Sequence, residues 1–200
     1  MWNIWKNMYK AYLFERQELV QDSFILKSLY LLPEERRCKA LRYRNSIDRN
    51  NCVLTYLMLK IALKDCFQIK DFTVQYGRYG KPFLKEYPNI FFSISHCKCG
   101  CVVMVADELV GIDIQNIVPF SWDVAERVCC LEELGVLKKS TYKDREFIRM
   151  WTMKESYLKM TGEGISGDLK SINTLEMDGI EVEEREKNII SICSQAKTIV

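Results

Sequence analysis

Two hundred residues are enough for one large domain or two small ones sharing a core, and a net charge of +2 excludes the strong basic excess of a general nucleic-acid or membrane-surface binder. The apolar share of 48% is that of a globular protein, and no run of about 18 apolar residues offers a membrane-spanning helix. Nine cysteines are many, but nine is odd and the N-terminus Met1-Trp2-Asn3-Ile4-Trp5-Lys6 has no apolar signal core, so reduced thiols and a cytoplasmic location are expected.

In chain order, Pro33 followed by Glu34-Glu35 reads as a helix start, with proline in the first turn and acids at the positive end of the dipole. A basic cluster, Arg36, Arg37, Lys39, Arg42 and Arg44, follows. Leu54, Leu57, Met58 and Ile61 recur at helical spacing and predict a helix from about Asp48 to Asp65. Phe72, Val74 and Tyr76 alternate as a strand that ends in the turn Gly77 to Pro82. Strands are expected over Ile90–Ser95, Cys101–Ala106 and Leu109–Ile114, the last two joined by a tight hairpin at Asp107-Glu108. Ser121 can cap a helix ending near Gly135, and Asp144 a longer one to Met160 with Gly162 as its left-handed cap. Ile172–Met177 and Ile180–Glu184 flank Asp178-Gly179, a hairpin signal, and Ile189–Cys193 adds a strand. Helices alternating with antiparallel hairpins predict an α+β protein.

Two segments place carboxylates against pattern. In Val110-Gly111-Ile112-Asp113-Ile114-Gln115, the strand period puts Ile112 and Ile114 on one face and Gly111, Asp113 and Gln115 on the other. Trp151-Thr152-Met153-Lys154-Glu155-Ser156-Tyr157-Leu158-Lys159 lies on the second helix, where Lys154 falls inside the stripe of Phe147, Trp151 and Leu158. Glu155 and Lys159 fall on its flank beside Ile148. They can line a cleft, or form an ordinary i,i+4 surface pair with Lys154 snorkelling. Asp113 and Glu155 together are enough for Mg²⁺, which takes few protein oxygens and completes its shell with water and phosphates. Lysines and the single histidine, His96, would then neutralise phosphate charge.

Four segments in this order resemble the 4′-phosphopantetheinyl transferase family. Gly111 to Gln115 resembles its Gly-x-Asp-x-Glu, and Trp151 to Lys159 its Trp-x-x-Lys-Glu-x-x-x-Lys. Tyr79-Gly80-Lys81-Pro82-Phe83 resembles its Gly-Lys-Pro turn, and Phe92-Ser93-Ile94-Ser95-His96 its Phe-Asn-x-Ser-His strand. The resemblance covers about residues 30–165, including the basic stretch from Pro33 to Lys60. It implies two similar α+β subdomains, residues 1–109 and 110–200, packed as a pseudo-dimer with the active site in the cleft between them. It implies Mg²⁺ held by Asp113, Gln115 and Glu155, and coenzyme A held by Arg36, Lys39, Lys81, Pro82, Ser95, His96 and Lys159. Glu155, Lys159 and His96 would be catalytic in moving the phosphopantetheine arm to a serine of an apo acyl or peptidyl carrier protein. That transfer would serve nonribosomal peptide, polyketide or fatty-acid synthesis, and a monomer is expected because two halves already supply both sides of the cleft.

Two departures stand out. Gln115 replaces the family's middle acid, which predicts weaker metal binding. Asn51 stands where the basic region usually has an arginine, with Arg49 nearby. Other readings are a non-catalytic binder of coenzyme A or a carrier, and a generic Mg²⁺-dependent nucleotide transferase, which the lack of a Gly-rich Gly-Lys-Ser/Thr loop weakens. Cys97-Lys98-Cys99-Gly100-Cys101 could signal zinc or redox chemistry, but alternate thiols on a strand are more simply read as buried small apolar groups.

Overall fold

The structure, a computed structural model, describes residues 2–6, 9–164 and 169–195, with side chains from residue 9 onward. Helices and antiparallel sheets alternate, as expected. The first sheet has the order β1 (Trp2–Lys6), β2 (Tyr9–Phe14), β6 (Cys101–Ala106), β5 (Phe91–His96). The second has the order β7 (Val110–Asn116), β9 (Asn188–Ser194), β8 (Glu181–Glu184). A short ribbon pairs β3 (Val74–Tyr76) with β4 (Pro82–Leu84).

The sheets form the two inner layers of the molecule. Helix α3 (Ser46–Phe67) lies on one face of the first sheet, packing Val53, Leu59 and Leu63 with Tyr12, Phe92, Val103 and Val105. From the opposite face Ala11, Leu13, Val102 and Met104 meet Ile112, Ile114, Ile190 and Ile192 of the second sheet. Strand β6 is thus covered on both sides, so its sequence is a continuous apolar run without alternation. Helix α6 (Lys143–Thr161) covers the outer face of the second sheet, flanked by α4 (Trp122–Val128) and α5 (Leu131–Lys139). Helices α1 (Asp22–Ser28) and α2 (Glu34–Arg42) precede α3. Asn45 starts α3 by accepting the Ile47 amide on its side chain, at 2.9 Å. Gly162, at φ +80°, ends α6 as a left-handed cap.

Several expectations are corrected. Asp107-Glu108 is not a hairpin turn: β6 stays in the first sheet and β7 enters the second, so the chain changes sheet there. The hairpin in this region joins β5 to β6 through residues 97–100, with the Cys97 amide on the Gly100 carbonyl at 2.8 Å. The helix from Ser121 is two helices broken at Cys129-Cys130, and Ser121 makes no side-chain cap bond. Asp144 lies inside the first turn of α6, whose N-cap is Tyr142. Ile172–Met177 is not a strand, because the Thr174 amide and hydroxyl are drawn to the buried Glu133 carboxylate instead of a ladder. Strand β8 turns into β9 through residues 185–187. Strands β1, β2 and β4 had no counterpart in the sequence reading.

Candidate functional site

The site forms where β7 meets α6. A Cβ on Gly111 would lie 1.9 Å from the Ser156 carbonyl oxygen and 2.5 Å from the Met160 nitrogen. Glycine is therefore what lets the helix lie against the strand, and its consequence is that Lys159 reaches Asp113 while Glu155, one turn earlier, lies near enough to feel the Asp113 charge. Asp113 is 1% exposed. Its Oδ1 accepts the Ser95 hydroxyl and the Lys159 ammonium, each at 2.6 Å. Its Oδ2 is buried without a hydrogen-bond partner.

Glu155 is also buried, and its Oε1 is likewise without a partner. Burial pushes its pKa up and the neighbouring Asp113 charge adds to this, with Lys159 opposing. Two buried carboxylates thus share one lysine and keep two bare oxygens. That donor set fits a hard divalent cation, whose remaining ligands would be water and phosphate. Among the described residues no cluster of three His, Cys, Asp or Glu exists that could cage a metal alone. Gln115, further along β7, lines a cavity of about 460 Å³ with Asn45, Asp48, Asn51, His96 and Trp151.

The other candidate residues surround this pair unequally. His96 ends β5 and opens into both the 460 Å³ cavity and one of about 250 Å³ that holds Arg36 and Lys39. Surrounding protein and the Lys159 cation hold its imidazole below the usual pKa, Asp48 opposes, Arg36 adds and Asp113 opposes. Arg36 is clamped by the Cys52 carbonyl and the Thr55 hydroxyl, each at 3.0 Å from one guanidinium nitrogen, and lies over the Tyr56 ring. A third cavity, about 360 Å³, is lined by Tyr79, Lys81, Pro82, Glu155, Leu158 and Lys159. It shares Pro82, Phe92 and Ile94 with the Arg36 cavity, so the two adjoin across β5.

Two side chains are committed to the fold. The Lys81 ammonium donates to the Met160 carbonyl at 2.5 Å near the end of α6, and burial lowers its pKa. The Ser95 hydroxyl donates to Asp113 and accepts the Ile114 amide at 3.3 Å, so it orients the carboxylate. Asn51 is buried between Gln17 and the Cys97 carbonyl, while Arg49 pairs with Asp22 at 3.0 Å. Lys154 neither lines the cleft nor snorkels: it is 1% exposed and bonded to Glu133 at 2.6 Å and to the Val128 and Leu169 carbonyls. The sequence reading missed Asp48, which faces both cavities beside His96. Its only signal was a position at the start of a helix, which an ordinary N-terminal acid shares.

Comparison with known proteins adds an independent line. The family described as the 4′-phosphopantetheinyl transferase superfamily matches residues 109–198. The 4′-phosphopantetheinyl transferase ffp of Bacillus subtilis is 30% identical over 151 residues, 72% of this chain and 67% of the relative. The transferase psf-1 of Bacillus pumilus is 31% identical over 150 residues, 72% and 64% of the two chains. The transferase Sfp of Bacillus subtilis strain 168 is 28% identical over 155 residues, 75% and 69% of the two. The chain therefore spans about two thirds of the length of these relatives. It belongs to the 4′-phosphopantetheinyl transferase superfamily.

Proposed function

We propose that this member of the 4′-phosphopantetheinyl transferase superfamily moves 4′-phosphopantetheine from coenzyme A to a serine hydroxyl of an apo acyl or peptidyl carrier protein, releasing 3′,5′-ADP. The observation that carries this is the buried pair Asp113 and Glu155, each with a bare oxygen, beside Lys159, with Glu155 and Lys159 lining the 360 Å³ cavity that adjoins the Arg36 cavity.

Asp113 and Glu155 would hold Mg²⁺, with the Gln115 carbonyl as a weaker third ligand, and the ion would neutralise the coenzyme's pyrophosphate. Arg36 and Lys39 would supply cations in the 250 Å³ cavity for the adenosine end and its 3′-phosphate, with His96 also in its lining. Lys159, which lines the 360 Å³ cavity, would offset charge on the transferred phosphoryl group. The apolar cavity along Pro82, Phe92 and Leu158 suits the pantetheine arm. Glu155, with its raised pKa, is suited to take the serine proton, directly or through water. A bond forms from the serine oxygen to the β-phosphorus as the bridging P–O bond of the pyrophosphate breaks. Little covalent help is needed in such a transfer, and positioning with charge stabilisation dominates.

In the same reading, the two sheet-and-helix units, residues 1–109 and 110–200, are the halves of a pseudo-dimer that works as a monomer in the cytoplasm. No described helix is long and apolar enough to cross a membrane. The test is mass measurement of an apo peptidyl carrier domain after incubation with the protein, coenzyme A and Mg²⁺. A gain of one phosphopantetheine, abolished by EDTA and by Glu155→Ala, is expected. No gain on any of several peptidyl and acyl carriers, with Mg²⁺-independent coenzyme A binding in calorimetry, would replace this reading with a non-catalytic binder.

A further inference from the structure

Directly after His96, the loop joining β5 to β6 carries Cys97 and Cys99. Their sulfur atoms lie 3.5 Å apart, and both thiols are free. The surroundings of the two sulfurs differ. The Cys99 sulfur accepts from the Asn116 side-chain amide at 2.9 Å and from the Asn188 amide at 3.4 Å. Both amides are oriented by a second contact. The Asn116 oxygen accepts the Lys98 backbone amide at 2.9 Å, and the Asn188 nitrogen also donates to Glu15 at 2.8 Å. Each therefore presents N–H, not oxygen, to Cys99. No side-chain amide reaches the Cys97 sulfur, which meets only the backbone amides of Cys99 and Gly100 and packs against the apolar cluster between the sheets.

This asymmetry makes Cys99 the acceptor and Cys97 the donor in the S–H···S contact. The hydrogen bond from Cys97 lowers the Cys99 pKa, burial opposes, and the Asn188 and Asn116 amides lower it further. The same contact, together with burial, raises Cys97, with the Cys99 and Gly100 backbone amides opposing. Cys99 also lines an open polar cavity of about 290 Å³ with Glu15, Arg185, Lys187 and Asn188, so a small solute can reach it. Among the described residues no third ligand joins the two thiols in a metal cluster, which leaves thiol chemistry.

We propose that Cys97 and Cys99 are a peroxide-reactive dithiol, with Cys99 the attacking sulfur and Cys97 the resolving one. The Cys99 thiolate attacks a hydroperoxide oxygen, the O–O bond breaks, and the departing alkoxide or hydroxide takes a proton. Cys99 is then a sulfenic acid. The Cys97 sulfur attacks it, an S–S bond forms, the S–O bond breaks, and the hydroxide leaves as water with the Cys97 proton. The dithiol loses two electrons and the peroxide gains them. Closing the sulfurs from 3.5 Å to bonding distance moves Cys99 relative to Asn116 and alters the loop that follows His96. Neither step depends on the transfer reaction proposed above.

The experiment is a titration of the purified full chain with hydrogen peroxide, followed by alkylation and mass spectrometry. At low peroxide the chain is expected to lose the mass of two hydrogens and two alkylatable thiols, and dithiothreitol restores both. Trypsin cuts after Lys98, so the oxidised loop yields two peptides joined by the new bond. Cys97→Ser should instead trap one added oxygen on Cys99 that reacts with dimedone. Cys99→Ser should abolish fast oxidation of the loop. Oxidation beginning at the exposed Cys38, with Cys97 and Cys99 still alkylated, would overturn the proposal, as would a bond from Cys97 to Cys101.

Discussion

Lys154 and Glu155 follow one another on α6, yet the carboxylates they meet are treated in opposite ways. Glu133, facing Lys154, is fully buried and has donors on both oxygens. One oxygen takes Lys154 at 2.6 Å and the Cys130 amide at 2.9 Å, and the other takes the Thr174 hydroxyl and amide at 2.6 and 3.0 Å. Burial alone would raise its pKa, but these donors outweigh it and the pKa is lowered. Asp113 and Glu155 are buried to a similar degree, but each keeps an oxygen with no donor, and Glu155 is raised. A carboxylate that serves the fold has its hydrogen bonds completed by the protein. The Asp113–Glu155 pair has no such completion, and the cost of that incompleteness is carried by the folded chain.

The comparison breaks if both pairs respond alike to neutralisation. Glu155→Gln should lower carrier modification by roughly 10²–10⁴-fold, measured by initial rates, while raising Tm at neutral pH. The Tm gain has a direction in pH. Glu155 holds its proton more tightly in the folded chain, so the stability tied to it is full below the ordinary glutamate range and is lost as pH rises through the raised pKa. The advantage of Glu155→Gln should therefore vanish in acid, and a constant Tm difference across pH would rule this out. Mg²⁺ should raise the Tm of the unaltered chain and leave Glu155→Gln nearly unmoved.

Lys154→Met does the reverse. It strands the Glu133 charge in the core and should cost about 3–5 kcal/mol in urea unfolding, with any loss of activity following the folded fraction. Gly111→Ala should cost about 1–3 kcal/mol or more, because the added methyl meets the Ser156 carbonyl, and it should weaken the Mg²⁺ response as well. Gln115→Glu is the mildest change: a lower Mg²⁺ requirement at unaltered stability is expected, and an unchanged requirement would remove Gln115 from the metal shell.

What was legible in the sequence follows the same division. Helix α6 and its cap at Gly162, the start of α2 at Pro33 and the strand β9 announce themselves through periodicity and capping residues. Asp113, Glu155 and Lys159 were found by motif spacing, and the structure brings them together. The strand period placed Gly111 on the Asp113 face without saying what meets it there, and its lack of a side chain admits the backbone of α6. Strand β2 escaped notice because both its faces are buried and Lys10 interrupts it, paired with Asp65. The change of sheet at Asp107-Glu108 was illegible because a turn signal says where a chain bends, not which partner it bends toward. Lys81 was singled out, but its contact with Met160 depends on where a helix ends 79 residues later. No local pattern carries that.

One feature of the seam between the sheets bears on how the chain avoids its own kind. Strand β5 is the last strand of the first sheet and β7 the last of the second. They are not joined as a backbone ladder. The Ser93 and Ser95 hydroxyls on β5 take the Ile112 and Ile114 amides of β7, at 3.0 and 3.3 Å. Each strand thus covers the other's open edge, the kind of edge that recruits strands from foreign chains and seeds aggregates. Prising the two sheets apart would bare both borders at once, so each edge is guarded only while the sheets stay packed.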